Sequence, residues 1–154
     1  MRTVAVFKWN GESPCNEEDD AERLTMELAR PAAEALLATL RERGYQTNVD
    51  IPYDGEGGWH FTVDVDSQTF SIFVMWTGIG EREEDYFAIQ PSLSRGCLGT
   101  LFTPTPPDYK LEPVCRALDQ ALTAMPLITH LQWLTDREFE RAYCHGDPLP
   151  RKDE

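Results

Sequence analysis

The chain has 154 residues and a net charge of −13, from 27 acidic and 14 basic side chains. This charge repels nucleic-acid phosphates and anionic lipid surfaces, so binding to nucleic acid or to a membrane is excluded from the expected functions. Hydrophobic residues make up 41% of the chain, which is enough for a folded domain with its own core.

The cysteines and the N-terminus indicate the expected compartment. Cys15, Cys97, Cys115 and Cys144 are widely separated and form no C-x-x-C pair, unlike the cysteines of a zinc ribbon or a disulfide scaffold. The N-terminus has no long apolar region followed by a cleavage site, and no segment approaches the ~18 apolar residues of a membrane span. We therefore expect a cytoplasmic protein with reduced thiols and no bound metal.

The first third of the chain predicts a strand, a long helix and a second strand. Residues 3–9 are apolar on both sides of the alternation, as in a strand buried on much of both faces. Residues 17–43 carry leucines and alanines at three- and four-residue spacings and end before Gly44, which predicts an amphipathic helix. Pro31 interrupts this pattern, so the segment is either one kinked helix or two abutting helices. Residues 45–52 predict the second strand.

Residues 58–78 predict a β-hairpin with Ser67 and Gln68 as its two-residue turn. Counting from this turn pairs the residues of the apolar face as follows: Val65 with Phe70, Val63 with Ile72, Phe61 with Val74, and Trp59 with Trp76. We expect this face to pack against the helices.

The opposite face of the hairpin is polar near the turn and more apolar away from it. Asp64 and Asp66 fall at the polar end, where we interpret them as solvated residues rather than as metal ligands. His60, Phe73 and Met75 fall at the apolar end. Because apolar side chains on a polar sheet face need a cover, a homodimer through Phe73 and Met75 remains open.

Five further segments follow in the second half: a strand over 85–92, an irregular segment over 94–107, a helix over 108–125, a strand over 126–134 and a short helix from 135. The irregular segment contains two glycines and three prolines, too many for a long regular element. Thr135 and Glu138 have the spacing of a capping box, which predicts the start of the last helix.

This order of elements predicts an α+β fold. We expect a mainly antiparallel β-sheet of about five to six strands, with two longer helices packed on one face and a short C-terminal helix. Residues 1–146 are predicted to form a single domain, followed by a flexible C-terminal tail over 147–154.

Cys97 is the candidate nucleophile of the irregular segment. It is flanked by glycines and follows Arg95, which would lower the pKa of its thiol, and His60 is a candidate base. These three residues, with a pocket near the 94–107 segment, form the alternative prediction of a small enzyme or ligand-binding domain. The ordinary interpretation of Cys97 is a packing residue. The chain has no Walker loop, G-x-G-x-x-G or H-E-x-x-H motif, so no cofactor is predicted.

A cluster of acidic residues lies beside two aromatic residues in the sequence: Glu81, Glu83, Glu84 and Asp85, with Trp76 and Tyr86. The cluster is either a solvated surface or a negative patch with aromatic anchors that captures a basic protein. The leading hypothesis is therefore a protein-binding module, an inhibitor or immunity-type neutralising partner of a basic protein, rather than an enzyme. Immunity proteins share this profile of size and acidity, but no motif connects the chain to them.

Overall fold

The computed structural model describes residues 1–11, 21–79, 86–94 and 108–151. The strands are β1 (Val4–Trp9), β2 (Gln46–Thr47), β3 (Tyr53–Gly55), β4 (Gly58–Val65), β5 (Gln68–Trp76), β6 (Tyr86–Leu93) and β7 (Ile128–Leu134). The helices are α1 (Ala21–Glu42), α2 (Glu112–Ala124) and α3 (Asp136–His145), and a 3₁₀ turn, Asp108–Leu111, precedes α2. The predicted α+β fold is confirmed.

The strands form one sheet in the order β2-β4-β5-β6-β1-β7, with β3 also paired to β4. Every pairing is antiparallel. Of the strand predicted over 45–52, only Gln46–Thr47 is a strand, β2, whereas β3 lies beyond the predicted bounds at Tyr53–Gly55 and brings the number of strands to seven. Between them the chain turns, and the Thr47 hydroxyl donates to the carbonyl of Val49 at 3.2 Å.

The helices α1 and α2 cover one face of the sheet and enclose what we call the first core. The apolar face of the β4–β5 hairpin supplies buried side chains such as Phe61, Phe70 and Ile72, and α1 supplies leucines and alanines. Each such side chain contributes about 1.5–3 kcal/mol when it is fully buried. Residues on both sides of Pro31 belong to the same helix, so the single-helix alternative is the one found.

The register of the β4–β5 hairpin differs from the prediction by two residues. Val65 pairs with Gln68, so the turn is Asp66–Ser67 and not Ser67–Gln68. Both turn residues have positive φ, 50° and 65°, as a type I′ turn requires, and Asp tolerates this conformation better than most residues. Because the shift is an even number, the apolar residues stay on the predicted face while every cross-strand partner changes.

The short helix α3 lies on the other face and covers only part of it. Its Phe139 and Ala142 pack in the second core with Ile79, which follows β5, and with residues of β1, β6 and β7: Val4, Val6, Tyr86, Ala88 and Leu134. The remaining part of this face, which we call the open face, is formed by half-buried or exposed residues of β4, β5 and β6: His60, Ser71, Phe73, Gln90 and Ser92.

The described part of the C-terminal tail, 147–151, has no helix or strand. Leu149 packs against the second core, and the Pro150 carbonyl accepts a hydrogen bond from the Gln132 side chain. These contacts hold the start of the tail beside β7.

None of the helices in the described residues combines the length and the apolar character that crossing a lipid bilayer requires.

Candidate functional site

A groove of about 600 Å³ lies where α3 meets the open face of the sheet. Its lining residues come from six elements or turns: Thr3, Val4, Glu56, His60, Ser71, Phe73, Gln90, Pro91, Ser92, Asp136, Phe139 and Glu140. The groove exists because α3 packs on β1, β6 and β7 and leaves part of β4 and β5 uncovered, so that one wall is a helix and the floor is a sheet.

Three aromatic side chains form a row across neighbouring strands at one end of the groove. Tyr53, His60 and Phe73 are direct cross-strand partners on β3, β4 and β5. The ring centroids of Tyr53 and His60 are 5.5 Å apart, and those of His60 and Phe73 are 4.7 Å apart, with interplanar angles of 20° and 26°. These distances are typical of stacked rings. We call these three residues the aromatic row.

The ring of His60 is fixed by a hydrogen bond as well as by stacking. Its Nε2 donates to the backbone carbonyl of Gly55 at 2.9 Å, and this contact assigns the proton to Nε2 because a carbonyl can only accept. The imidazole is therefore held in one orientation beside the groove, with Tyr53 and Phe73 as its stacking partners.

Gly58 makes room for the last ring of the row. A Cβ atom at this position would lie 2.4 Å from Cε2 of Phe73 and 2.6 Å from the carbonyl oxygen of Val74. The Phe73 ring thus occupies the space that a side chain at position 58 would fill. This close approach explains why a strand residue here is glycine.

Three carboxylates lie around the groove, and we call them the rim carboxylates: Glu56, Asp136 and Glu140. Asp136 and Glu140 are one helical turn apart on α3, so they lie on one face of that helix. The Thr3 hydroxyl approaches Asp136 Oδ1 at 3.4 Å. Among the described residues, neither Glu56 nor Glu140 forms an ion pair, and the lining contains no lysine or arginine.

Local backbone structure positions each rim carboxylate. Glu56 and Gly57 have φ of 51° and 87° and form the two-residue turn between β3 and β4, and Glu56 lines the groove together with His60 and Phe73. At the start of α3, the Thr135 side chain accepts from the Glu138 amide, and the Glu138 side chain accepts from the Thr135 amide. This capping box confirms the predicted helix start and holds Asp136 at its first position.

The carboxyl of Glu138 lies on the side of α3 away from the groove. Its pKa is lowered, first because the Thr135 backbone amide donates to it at 2.8 Å and then because the Arg2 guanidinium is near, at 3.4 Å. A hydrogen bond to the charged form favours ionisation. Glu138 therefore anchors α3 to the N-terminus of the chain rather than contributing to the groove.

Of the residues predicted for catalysis or binding, the structure describes His60, Trp76 and Tyr86, and of these three His60 lines the groove. Cys97, Arg95 and the acidic cluster Glu81, Glu83, Glu84 and Asp85 lie outside the described residues. Their predicted roles stay predictions.

The two predicted aromatic anchors are on opposite faces of the sheet. Trp76 packs against the first core, and Tyr86 is only 9% exposed in the second core, where the Lys8 ammonium lies 5.2 Å from its ring centroid. The structure does not bring these two side chains together.

The apolar residues that suggested a homodimer have partners within the chain. Met75 packs against the second core, and Phe73 stacks on His60.

The aspartates of the β4–β5 hairpin are separated in their contacts. Asp64 accepts a hydrogen bond from the Thr69 hydroxyl at 2.7 Å, and Asp66 is exposed in the turn. Within the described ranges, no group of three or more His, Cys, Asp or Glu side chains is placed to hold a metal ion.

The sequence pattern does not predict the rim carboxylates. The Asp136 and Glu140 spacing is visible beside the capping box, but the sheet face that α3 covers is decided by long-range packing. Glu56 carries no distinctive pattern apart from its place in a glycine-flanked turn.

Comparisons of the chain with protein-family models, curated proteins and solved structures found no match. The groove is therefore interpreted from its own geometry and charge.

Proposed function

We propose that the protein is a binding module that takes a basic segment of another protein into the groove, as an inhibitor or neutralising partner would. The observation that carries this proposal is the composition of the groove: three carboxylates surround a floor with exposed aromatic surface, and no lysine or arginine is among the described residues that line it. A cationic side chain entering the groove would gain charge pairing and aromatic contact together.

The charge of the whole molecule supports the same kind of partner. A net charge of −13 attracts a basic protein over a distance and speeds the encounter, most strongly at low ionic strength. Partly exposed aromatic rings then supply contact area, which is the usual source of affinity at protein interfaces. The three aromatic side chains of the row meet this requirement, since Tyr53 is 52% exposed and the other two are half-buried.

The test is NMR mapping of a defined basic probe, the capped peptide Ac-Gly-Arg-Gly-Lys-Gly-NH₂, on the ¹⁵N-labelled protein at low salt. We expect shifts at amides of the groove, including His60, Gln90 and Glu140, and none with the acidic peptide Ac-Gly-Glu-Gly-Asp-Gly-NH₂. The variant Glu56→Gln/Glu140→Gln should weaken binding severalfold because it removes two of the attracting charges.

A matched control removes two charges elsewhere. Glu42 and Asp147 are exposed and do not line the groove. The variant Glu42→Gln/Asp147→Asn has the same net charge as the groove variant and should keep most of the affinity. Equal losses in both variants, or shifts spread over the whole acidic surface, would mean that only general charge attracts the peptide and that the groove is not a binding site.

The second candidate function is the small enzyme or ligand-binding domain that would use His60 with Cys97 and Arg95. Its support is that His60 lines a groove whose volume of about 600 Å³ falls within the ~300–1,000 Å³ of small-ligand sites. The test is the rate of alkylation by iodoacetamide at pH 7 in wild type and Cys97→Ser. A fast-reacting thiol that disappears with Cys97→Ser and slows with His60→Gln would favour this candidate over the binding module.

A further inference from the structure

We infer that the groove selects arginine over lysine, because its floor ends in an aromatic ring that can stack on a planar cation while the rim carboxylates pair with the cation's edges. This inference rests on the proposed binding function and names the side chain that the groove takes. The occupant is thus an arginine of a partner protein's basic segment.

The floor of the groove ends in an aromatic ring. The aromatic row crosses β3, β4 and β5, and the next position in the same row is Gln90 on β6, the cross-strand partner of Phe73. His60 has a stacking partner in each neighbouring strand, whereas Phe73 stacks on one ring among the described residues, so the row ends at Phe73 inside the groove. The side chain that follows Phe73 along the row is therefore the amide of Gln90 and not another ring.

Polar side chains line the groove together with the Phe73 ring. The Gln90 side chain is half-buried and makes no hydrogen bond with the described residues, so its amide oxygen is able to accept one from a ligand. Asp136 and Glu140 lie in the wall formed by α3, and Glu56 lines the same groove. A cation in the groove thus has oxygen acceptors in the same lining as the Phe73 ring.

Arginine and lysine differ in how their cations contact a ring and a carboxylate. A guanidinium is planar, weakly hydrated and carries five N–H donors around its edge, so it can stack on a ring and bond carboxylates at the same time. A lysine ammonium is a compact and strongly hydrated charge, and it must give up water to contact the ring. The combination of ring and carboxylates therefore favours arginine, whereas carboxylates alone would not.

The experiment compares Ac-Gly-Arg-Gly-Arg-Gly-NH₂ with Ac-Gly-Lys-Gly-Lys-Gly-NH₂, which carry equal charge, by NMR titration of the full chain. We expect the arginine peptide to bind about 3- to 10-fold more tightly, the range of a single cation–π contact. Phe73→Leu should weaken the arginine peptide more than the lysine peptide, so that the preference is lost. Glu140→Gln should weaken both peptides by similar factors.

A second readout does not depend on a variant. Intermolecular nuclear Overhauser effects between the arginine δ-methylene protons and the Phe73 ring protons should appear in the wild-type complex. The dispersion of the amide signals in the spectrum of free Phe73→Leu reports whether the variant keeps the groove folded.

The outcomes distinguish the arginine preference from the binding function on which it rests. If both peptides bind the groove equally, or if the arginine preference survives Phe73→Leu, the inference is overturned and the binding function stands. If neither peptide binds at the groove, the proposed function fails and the inference fails with it. Loss of both peptides in Phe73→Leu returns the decision to the wild-type Overhauser contacts, whose absence overturns stacking on Phe73.

Discussion

Gly58 is the residue on which the floor of the groove most directly depends. The Phe73 ring lies where a Cβ at position 58 would be, and the Val74 carbonyl limits movement from the other side. Because one of these neighbours is backbone, a new methyl group cannot be accommodated by rotating a side chain alone. A side chain at position 58 would therefore disturb both the aromatic row and the backbone pairing of β4 with β5.

We predict that Gly58→Ala lowers the free energy of unfolding by about 1–3 kcal/mol, the usual cost of inserting a methyl group into a packed site. The measurement is urea denaturation followed by circular dichroism. Gly55→Ala is the matched control, because its Cβ would lie at an ordinary 3.4 Å from His60 Cδ2. Its effect should stay within about 0.5 kcal/mol, typical of a substitution without a steric conflict. Equal stability of the two variants would contradict the close packing of Gly58 against Phe73 and the Val74 carbonyl.

At the scale of elements, the β4–β5 turn decides every partner in the hairpin. Asp66 and Ser67 adopt positive φ, whereas Gln68 belongs to β5 and pairs with Val65. A glycine is favourable at a turn position with positive φ and unfavourable inside a strand.

We therefore predict opposite effects from the same substitution at neighbouring positions. Ser67→Gly should raise the free energy of unfolding by about 0.5–1 kcal/mol, and Gln68→Gly should lower it by a similar amount. The two variants serve as each other's control in urea denaturation. If Gln68→Gly were the stabilising change, the turn would be Ser67–Gln68 and the observed register would be wrong.

The capping box of α3 makes this element sensitive to acid. The pKa of Glu138 is lowered in the folded protein, so its ionised form contributes stability above its ordinary pKa, and this contribution is lost as the pH falls through the lowered value. Glutamine at this position keeps the capping hydrogen bond but does not titrate. We predict that stability falls more steeply from pH 7 to pH 3 in wild type than in Glu138→Gln.

Urea denaturation across this pH range measures the difference. Glu140→Gln, two positions along α3, removes a carboxylate that caps no amide and should leave the acid sensitivity close to that of wild type. Parallel stability curves for wild type and Glu138→Gln would show that the capping box does not couple α3 to pH.

At the scale of the whole molecule, local patterns predicted the elements, and long-range packing decided the site. The alternation in the hairpin was enough to assign Phe61 and Ile72 to the face against the helices, because parity survives a shift of two residues. The turn itself was mispredicted because Asp–Ser and Ser–Gln are both acceptable turn pairs until the backbone is seen. The groove was not predictable, because it depends on which part of the sheet α3 covers and on the close approach of Gly58 and Phe73.

The two faces of the sheet also differ in how firmly their helices are held. Six of the thirteen residues of α2 are buried, whereas α3 buries two of ten, Phe139 and Ala142. A helix with few buried apolar contacts opens at a lower free energy than the core. We predict that amides of α3 exchange hydrogen by local opening, at rates well above those of α2, in a native-state exchange experiment.

Phe139→Ala removes the larger of the two buried side chains of α3 and should make exchange in α3 at least about tenfold faster, since truncating a buried Phe typically costs 3–5 kcal/mol. The urea dependence of exchange separates local from global opening: a local opening exposes little surface, so exchange in α3 should depend weakly on low concentrations of urea, whereas exchange in α2 should depend on urea as global unfolding does. Equal urea dependence in both helices would mean that α3 unfolds only with the whole domain. Since α3 carries Asp136 and Glu140, a basic peptide that binds the groove should slow exchange in α3, because binding stabilises only the closed state.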